Sequence, residues 1–321
     1  MSRDLIWVEV RKKKRETTAI VSLDLAAVDG SELAAFSAGS HIDVHVGENL
    51  VRQYSLLRCD ANPAHYTIGV LLTDPTRGGS RRIHECFEVG HRLQISKPRS
   101  NFKIADEGGR ALLFAGGIGI TPILSMAEAL HSAKKEFELH YSARSRLATA
   151  FLDRIENSRF AGQAHLHFDD DESSKVDLNA VLSADNGADC HLYTCGPEGY
   201  MNAVFAAAKA QGWTADRLHR ESFAAEVQTM SGDEEFGVQV ASSGSVFRVP
   251  VGRSIASVLV ENGIVVPMSC EQGLCGCCLT RVIAGIPDHR DFYMNDAEHA
   301  LNDLITPCCS RSKGARLILD L

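Results

Sequence analysis

The feature that most limits what this chain can fold into is "CEQGLCGCC", Cys270 to Cys278, where four of the ten cysteines crowd together. Four residues separate Cys270 from Cys275 and two separate Cys275 from Cys278, giving C-x4-C-x2-C. That spacing suits a loop wrapped around a [2Fe–2S] cluster, whose two tetrahedral irons need a fourth, remote thiolate. Cys308 and Cys309, in "TPCCSRS" and 29 intervening residues beyond Cys278, both offer one. Gly273 and Gly276 let the loop turn sharply and point backbone N–H groups at bridging sulfides. A zinc site would instead favour two short pairs of cysteine or histidine. Cys277 reads as a small apolar side chain beside the ligands.

A 321-residue chain is too long for one ordinary core, so two or three domains are expected. Its 45% hydrophobic and 23% charged residues are those of a soluble globular protein, without a run of about 18 apolar residues that could cross a bilayer. In "MSRDLIWVEVRKKKRE" an apolar stretch precedes the basic cluster, so no secretory signal is expected and the cytoplasm is the expected location. A reducing compartment argues against a disulfide framework and for metal or redox roles. The net charge of −8 gives no reason to expect nucleic acid and is compatible with docking to another protein.

Composition divides the chain into three parts. Residues 1–105 alternate short β-rich runs with turns ("IWVEV", "TTAIVSLDL", "HIDVHV", "RQYSLL", "YTIGVLL", "RLQIS"), predicting an antiparallel β-barrel or sandwich. Residues 106–223 alternate strand, turn and helix ("RALLFAGG", "TPILSMAEALHSA", "FELHYSA", "CHLYTCGP", "EGYMNAVFAAAKAQG"), predicting an α/β domain with a parallel sheet. A polar stretch at 224–235 reads as a linker, and 236–321 as a small α+β domain. The basic run Arg11 to Arg15 reads as a solvated hairpin, and Asp169 to Glu172 as a solvated acidic loop.

The segments "PMSCEQGLCGCCLTRVIAGIPDHRD" and "TPCCSR" resemble the C-terminal plant-type ferredoxin domain, of β-grasp fold, in the phthalate dioxygenase reductase and vanillate O-demethylase oxidoreductase family. The family's Cys-x-Ser-Arg pattern implies Cys308 as the fourth ligand, followed by Ser310 and Arg311, with Cys309 packed beside it. The implied metal ligands are Cys270, Cys275, Cys278 and Cys308.

An iron–sulfur cluster needs an electron source, and the first two parts supply candidates. "RQYS" resembles the flavin motif of the ferredoxin-reductase barrel, which implies Arg52, Tyr54 and Ser55 around FMN, with Ser55 reaching flavin N5. "TRGGS" offers backbone N–H groups, a hydroxyl and a fixed charge to a phosphate through Arg77, Gly78, Gly79 and Ser80. "AGGIGITP" turns a strand into a helix with Gly116, Gly117, Gly119, Thr121 and Pro122, though not as a Rossmann G-x-G-x-x-G. It resembles the ferredoxin-reductase NAD(P) domain, as does "CGP", which implies Cys195, Gly196 and Pro197 beside the nicotinamide. No His and Asp partners surround Cys195 in motifs that would make it a nucleophile. Phe223, ending "ESF", resembles the segment closing over the flavin. Strand "FELHY" ends without an acid for a ribose 2′-OH, and Arg144 and Arg146 could meet a 2′-phosphate, which leans to NADPH. The resemblance implies NADH.

The expected enzyme is thus an NADH-dependent flavin iron–sulfur oxidoreductase. Hydride would pass from NADH to FMN, and single electrons through the [2Fe–2S] cluster to a separate protein, with Ser55, Thr121 and Cys195 at the reacting atoms. The resemblance implies a monomer serving a Rieske non-haem iron oxygenase that hydroxylates or demethylates aromatic acids. Two other readings compete: a FAD- and NADPH-dependent reductase of a soluble ferredoxin or cytochrome, and a zinc-stabilised regulatory protein.

Overall fold

A computed structural model describes all residues except 1–4, 48–49, 59–62, 74–77, 101, 106–108, 185–188, 224–229, 231, 269–270, 272, 274–275 and 292. The chain forms two compact units, Met1–Val46 with Gln53–Phe223, and Gly47–Arg52 with Ala224–Leu321.

The first unit begins with strands β1 (Ile6–Arg15), β2 (Ile20–Ala27), β3 (Ser40–Gly47), β4 (Leu50–Leu57) and β5 (Tyr66–Leu71). Helix α1 (Gly79–Cys86) follows, then β6 (Arg92–Ile95) and β7 (Arg99–Ser100). The sheet runs β4-β5-β2-β1-β6-β3-β7, and an extra β3–β4 pairing closes six of these strands into a barrel. In β1 the alternation is plain: Val8 and Val10 are buried while Trp7 is exposed, as a period of two requires. The basic run does not turn back after Val10. A register shift between Val10 and Lys12 bulges the strand, which continues to Arg15. Lys13 Nζ is held by the His84 carbonyl at 2.7 Å and Glu88 at 2.6 Å, and the reversal falls instead at Thr17, whose Oγ1 accepts from the Ala19 and Ile20 N–H groups.

The α/β half carries β8 (Arg110–Gly116), α2 (Ile120–Ser132), β9 (Glu136–Ala143), α3 (Leu152–Glu156), β10 (Ala164–Phe168), α4 (Leu178–Ala184), β11 (Cys190–Cys195), α5 (Glu198–Ala210) and β12 (Leu218–Glu221). These strands form an all-parallel sheet in the order β10-β9-β8-β11-β12. Strand β8 is buried along both faces, which explains its unbroken apolar run. One face packs Leu113, Ala115, Leu139 and Tyr141 against Ile123 and Leu124 of α2. The other packs Leu112, Phe114 and Leu192 against Val204 of α5 and Trp213.

The second unit holds β13 (Phe236–Val240), β14 (Val246–Val249), α6 (Ile255–Glu261), β15 (Thr280–Ala284), β16 (Pro287–Asp288), α7 (Asp296–Leu301), β17 (Leu304–Ile305), β18 (Arg311–Ser312) and β19 (Arg316–Leu319). Its sheet runs β14-β13-β19-β15-β17, with β13 and β19 parallel, and packs Val238, Val249 and Leu317 with Ile255 and Leu259 of α6 in a β-grasp arrangement. Ser254 starts α6 by accepting from the Ser257 N–H.

Arg311 is 2% exposed and donates to three carbonyls, those of Arg253 (2.8 Å), Glu234 (3.0 Å) and Pro250 (3.3 Å), while its guanidinium lies 5.0 Å from the Phe236 ring centre. Removing one partner from such a buried charged network leaves the rest unsatisfied. Arg311→Met is therefore expected to destabilise the second unit by about 3 kcal/mol. Calorimetric unfolding measures this, and an unchanged midpoint contradicts the role given to Arg311.

Candidate functional site

At the carboxyl end of the parallel sheet two chain turns interlock. Strand β8 ends at Gly116, residues 117–119 form one 3-10 turn, and α2 follows at once. A methyl group on Gly119 would stand 2.2 Å from the Cys195 carbonyl oxygen, and one on Gly196 would stand 2.9 Å from Gly116 Cα. Gly116 itself is closed off by Pro197 and Tyr200. Only glycine permits backbone to meet backbone in this way. Gly117 differs: its φ is +54°, and a methyl there would meet nothing within 4 Å. It borders open space of the kind a pyrophosphate over a helix N-terminus requires.

Thr121 is buried and its Oγ1 donates to the Ile118 carbonyl at 3.1 Å, so it braces the turn. Pro122 sits in the first turn of α2, where its missing N–H costs nothing. Cys195 is fully buried, and burial first, then the Glu221 charge, pushes its thiol well up. It is poorly suited to act as a thiolate nucleophile. Arg144 is exposed, and its carbonyl accepts from the Asp170 N–H at 3.3 Å. Arg146 is engaged in an exposed pair with Glu156 at 2.5 Å.

Facing these turns within the same unit is the end of β4. Ser55 is 5% exposed, and its Oγ lies 3.3 Å from Glu221 Oε2. Glu221 stands opposite Cys195 in the parallel β11–β12 register. Burial pushes the Glu221 carboxyl up to about 8, with the Ser55 hydrogen bond pulling the other way. Ser55, Cys195 and Glu221 thus converge from three strands. Glu221 was not foreseen from the sequence: "LHRESF" offered only a charged residue ending a strand, and the pairing that buries it spans the whole unit. Tyr54 and Arg52 are half-buried on the same strand, and Arg52 Nη1 donates to the Val51 carbonyl at 2.8 Å. Phe223 is 43% exposed.

The glycine pair expected in a phosphate loop opens a helix. Gly78 takes φ +91° immediately before α1, and Gly79 and Ser80 form its first turn, which has neither an acidic residue nor a side-chain cap. Ser80 Oγ lies 3.2 Å from Thr73 Oγ1. The first turn of a helix with its positive dipole end uncapped by an acid fits an anion. Arg77 lies outside the described residues.

In the second unit Cys270 and Cys275 also lie outside the described residues, whereas Cys278 and Cys308 are 3% and 5% exposed in the core. Neither forms a disulfide. Hydrogen bonds to the Cys278 and Cys309 thiols, then burial, push the Cys308 thiol far up. Two buried thiols turned on one another, with the Cys308 thiolate unfavourable unless a cation sits beside it, fit a pair of ligands to one iron. Cys309 is buried with its Sγ 3.3 Å from Thr306 Oγ1, and Cys277 is half-buried. Gly273 (φ +73°) and Gly276 (φ +63°) both need the left-handed region; methyl groups there would meet Cys309 Sγ at 2.5 Å and the Tyr293 ring at 2.3 Å.

The sequence pattern of the 2Fe-2S iron-sulfur cluster binding domain family matches residues 238–313. The vanillate O-demethylase oxidoreductase of Pseudomonas putida is 51% identical over 318 residues, covering 99% of this chain and 100% of that protein. A vanillate O-demethylase oxidoreductase from a Pseudomonas species is 48% identical, covering 94% of this chain and 95% of its own length. Among solved structures, phthalate dioxygenase reductase, described as a modular structure for electron transfer from pyridine nucleotides to [2Fe–2S], superposes with a TM-score of 0.75 at 33% identity, covering 99% of this chain and 98% of that one. With half the residues identical to one relative over the full length of both chains and a whole-chain superposition on another, this chain belongs to the phthalate dioxygenase reductase and vanillate O-demethylase oxidoreductase family.

Proposed function

We propose that this protein is the cytoplasmic, monomeric reductase component of a two-component oxygenase system, oxidising NADH and passing electrons to a Rieske non-haem iron oxygenase. The convergence of Ser55, Cys195 and Glu221 at the mouth of the glycine turn carries this reading. Support for a partner that demethylates an aromatic acid comes from the named relatives. Among the described residues no helix is long and apolar enough to cross a membrane.

Tyr54 and Ser55 hold the flavin ring of FMN, with Arg52 beside it, and Arg77, Gly78, Gly79 and Ser80 hold its phosphate; Phe223 covers it. Gly116, Gly117, Gly119, Thr121 and Pro122 cradle the NADH pyrophosphate, Arg144 binds the ribose end, and Cys195, Gly196 and Pro197 border the nicotinamide. Cys270, Cys275, Cys278 and Cys308 hold the [2Fe–2S] cluster. When bound, NADH supplies a hydride, FMN converts the electron pair to single electrons, and the cluster carries them out one at a time. The chain's own work is placement and proton control. Thr121 and the interlocked glycines fix the approach of the nucleotide, the neutral Cys195 thiol excludes water, and Glu221, whose Oε2 accepts from the Ser55 hydroxyl, keeps a proton on its carboxyl.

Anaerobic titration of the purified protein with NADH, followed in the visible, tests the whole reading: flavin and iron–sulfur bands are expected to bleach separately. Extraction of FAD instead of FMN, or a colourless zinc protein, contradicts it. Cys308→Ser is expected to lose the iron–sulfur bands and electron delivery to an oxygenase, yet to keep NADH-driven reduction of an artificial acceptor within about twofold of wild type, because hydride arrival at FMN does not use the thiolates.

Glu221→Gln is expected to slow flavin reduction by NADH by about tenfold or more in stopped flow. Its stability should shift with pH as well. A carboxyl at about 8 in the fold, against 4.5 as its ordinary value, gives wild type a stability that falls as pH rises through this window. Glutamine cannot ionise. The variant should therefore gain roughly 3 kcal/mol relative to wild type between pH 5 and pH 8, read from thermal midpoints at the two pH values. A constant difference would show that Glu221 ionises freely.

A further inference from the structure

Asp291 lies next to both cysteine-bearing segments of the second unit. Its side chain is 0% exposed. Oδ2 accepts from the Met294 N–H at 2.9 Å, and Oδ1 lies 3.3 Å from His299 Nε2 and 4.0 Å from His289 Nδ1. Thr306 adds a side-chain hydrogen bond to the same carboxylate. Burial works against ionisation here, but these bonds outweigh it and hold the carboxyl below its ordinary range. Among the described residues neither lysine nor arginine forms a salt bridge with it; its facing basic groups are the two imidazoles, stacked at 4.4 Å.

From Asp291 the contacts run two ways. Thr306 Oγ1 lies 3.3 Å from Cys309 Sγ and 2.9 Å from Ser310 Oγ, so it grips the residues that follow Cys308. Towards the other segment, Gly273 sits so close that a methyl group on it would stand 2.8 Å and 2.9 Å from Asp291 Cα and Cβ. Gly273 therefore rests on Asp291, while Asp291 is tied through Thr306 to Cys309 and Ser310, which follow Cys308.

We infer that Asp291 is a positioning residue for the iron–sulfur cluster: it locks the two ligand-bearing segments in register, and its buried negative charge lowers the cluster's reduction potential. The inference rests on the reading of Cys270, Cys275, Cys278 and Cys308 as cluster ligands. Groups just outside the ligand shell set ligand orientation and the potential of the metal. An anion without a fixed cation, in a region of low dielectric, opposes the arrival of an electron nearby.

The test uses full-length protein carrying Asp291→Asn, which keeps the shape and removes the charge. Iron and acid-labile sulfide are assayed, the dithionite-reduced cluster is examined by EPR, and its potential is titrated in the visible. Wild-type iron content is expected, with a more positive potential: at a fixed ambient potential the ratio of reduced to oxidised cluster should rise about threefold to tenfold. NADH reduction of an artificial acceptor should not change. A fully loaded Asp291→Asn cluster with wild-type potential and g-values overturns the inference. If the asparagine variant takes up no iron, Thr306→Val decides, since it cuts the same bridge from the Cys308 side and spares the carboxylate; shifted g-values support the inference and a wild-type spectrum overturns it. Wild-type protein lacking iron and sulfide would instead remove the cluster reading on which the inference stands.

Discussion

The close approach of Gly119 to the Cys195 carbonyl is the contact on which the redox end of the first unit depends. There is no room between them for a methyl group. Two strand-to-helix turns are held as one surface by backbone packing alone, with Gly196 pressed on Gly116 in the same way. This fixes Cys195, and the β11–β12 register then fixes Glu221 beside it. Ser55 reaches Glu221 from the barrel, so the spacing of glycines in one turn brings residues of three strands together at one place.

Burial sets which form of a titratable group is favoured in both units. Around Glu221 it favours the protonated carboxyl and around Cys195 the neutral thiol. Around Cys308 the neighbouring Cys278 and Cys309 sulfurs, and then burial, disfavour the thiolate. A cation bound beside Cys308 would offset that cost.

Much of this was legible in the residues. Alternation announced the barrel strands, the unbroken run "ALLFAG" announced a strand buried on both faces, and the cysteine spacing announced a cluster loop. Three things were not. Helix α1 hid in "GSRRIHEC", which is too polar to show an apolar stripe. The basic run Arg11 to Arg15 stayed in its strand because Lys13 found Glu88 and the His84 carbonyl, partners more than 70 residues away in sequence. Glu221 and Asp291 were invisible for the same reason: their character comes from burial between distant segments, and in "LHRE" or "PDHRD" each is only an ordinary acid.

Arg311 shows how a motif residue can earn its place without touching the chemistry its motif names. It follows Cys308 by three positions, yet its guanidinium turns away from the thiols to the carbonyls of Glu234, Pro250 and Arg253. Asp233 pairs with Arg290 through two hydrogen bonds at 2.5 Å and 3.1 Å, and these hold it near 2, against 3.8 as its ordinary value. Asp233 and Glu234 lie inside the polar stretch that reads as a linker, and both are fastened to the second unit. Arg290 donates its backbone N–H to Ser310 Oγ at 3.1 Å, which returns the chain of contacts to the residue between Cys309 and Arg311. The end of the polar stretch and the segment of the fourth thiolate are therefore one hydrogen-bonded body.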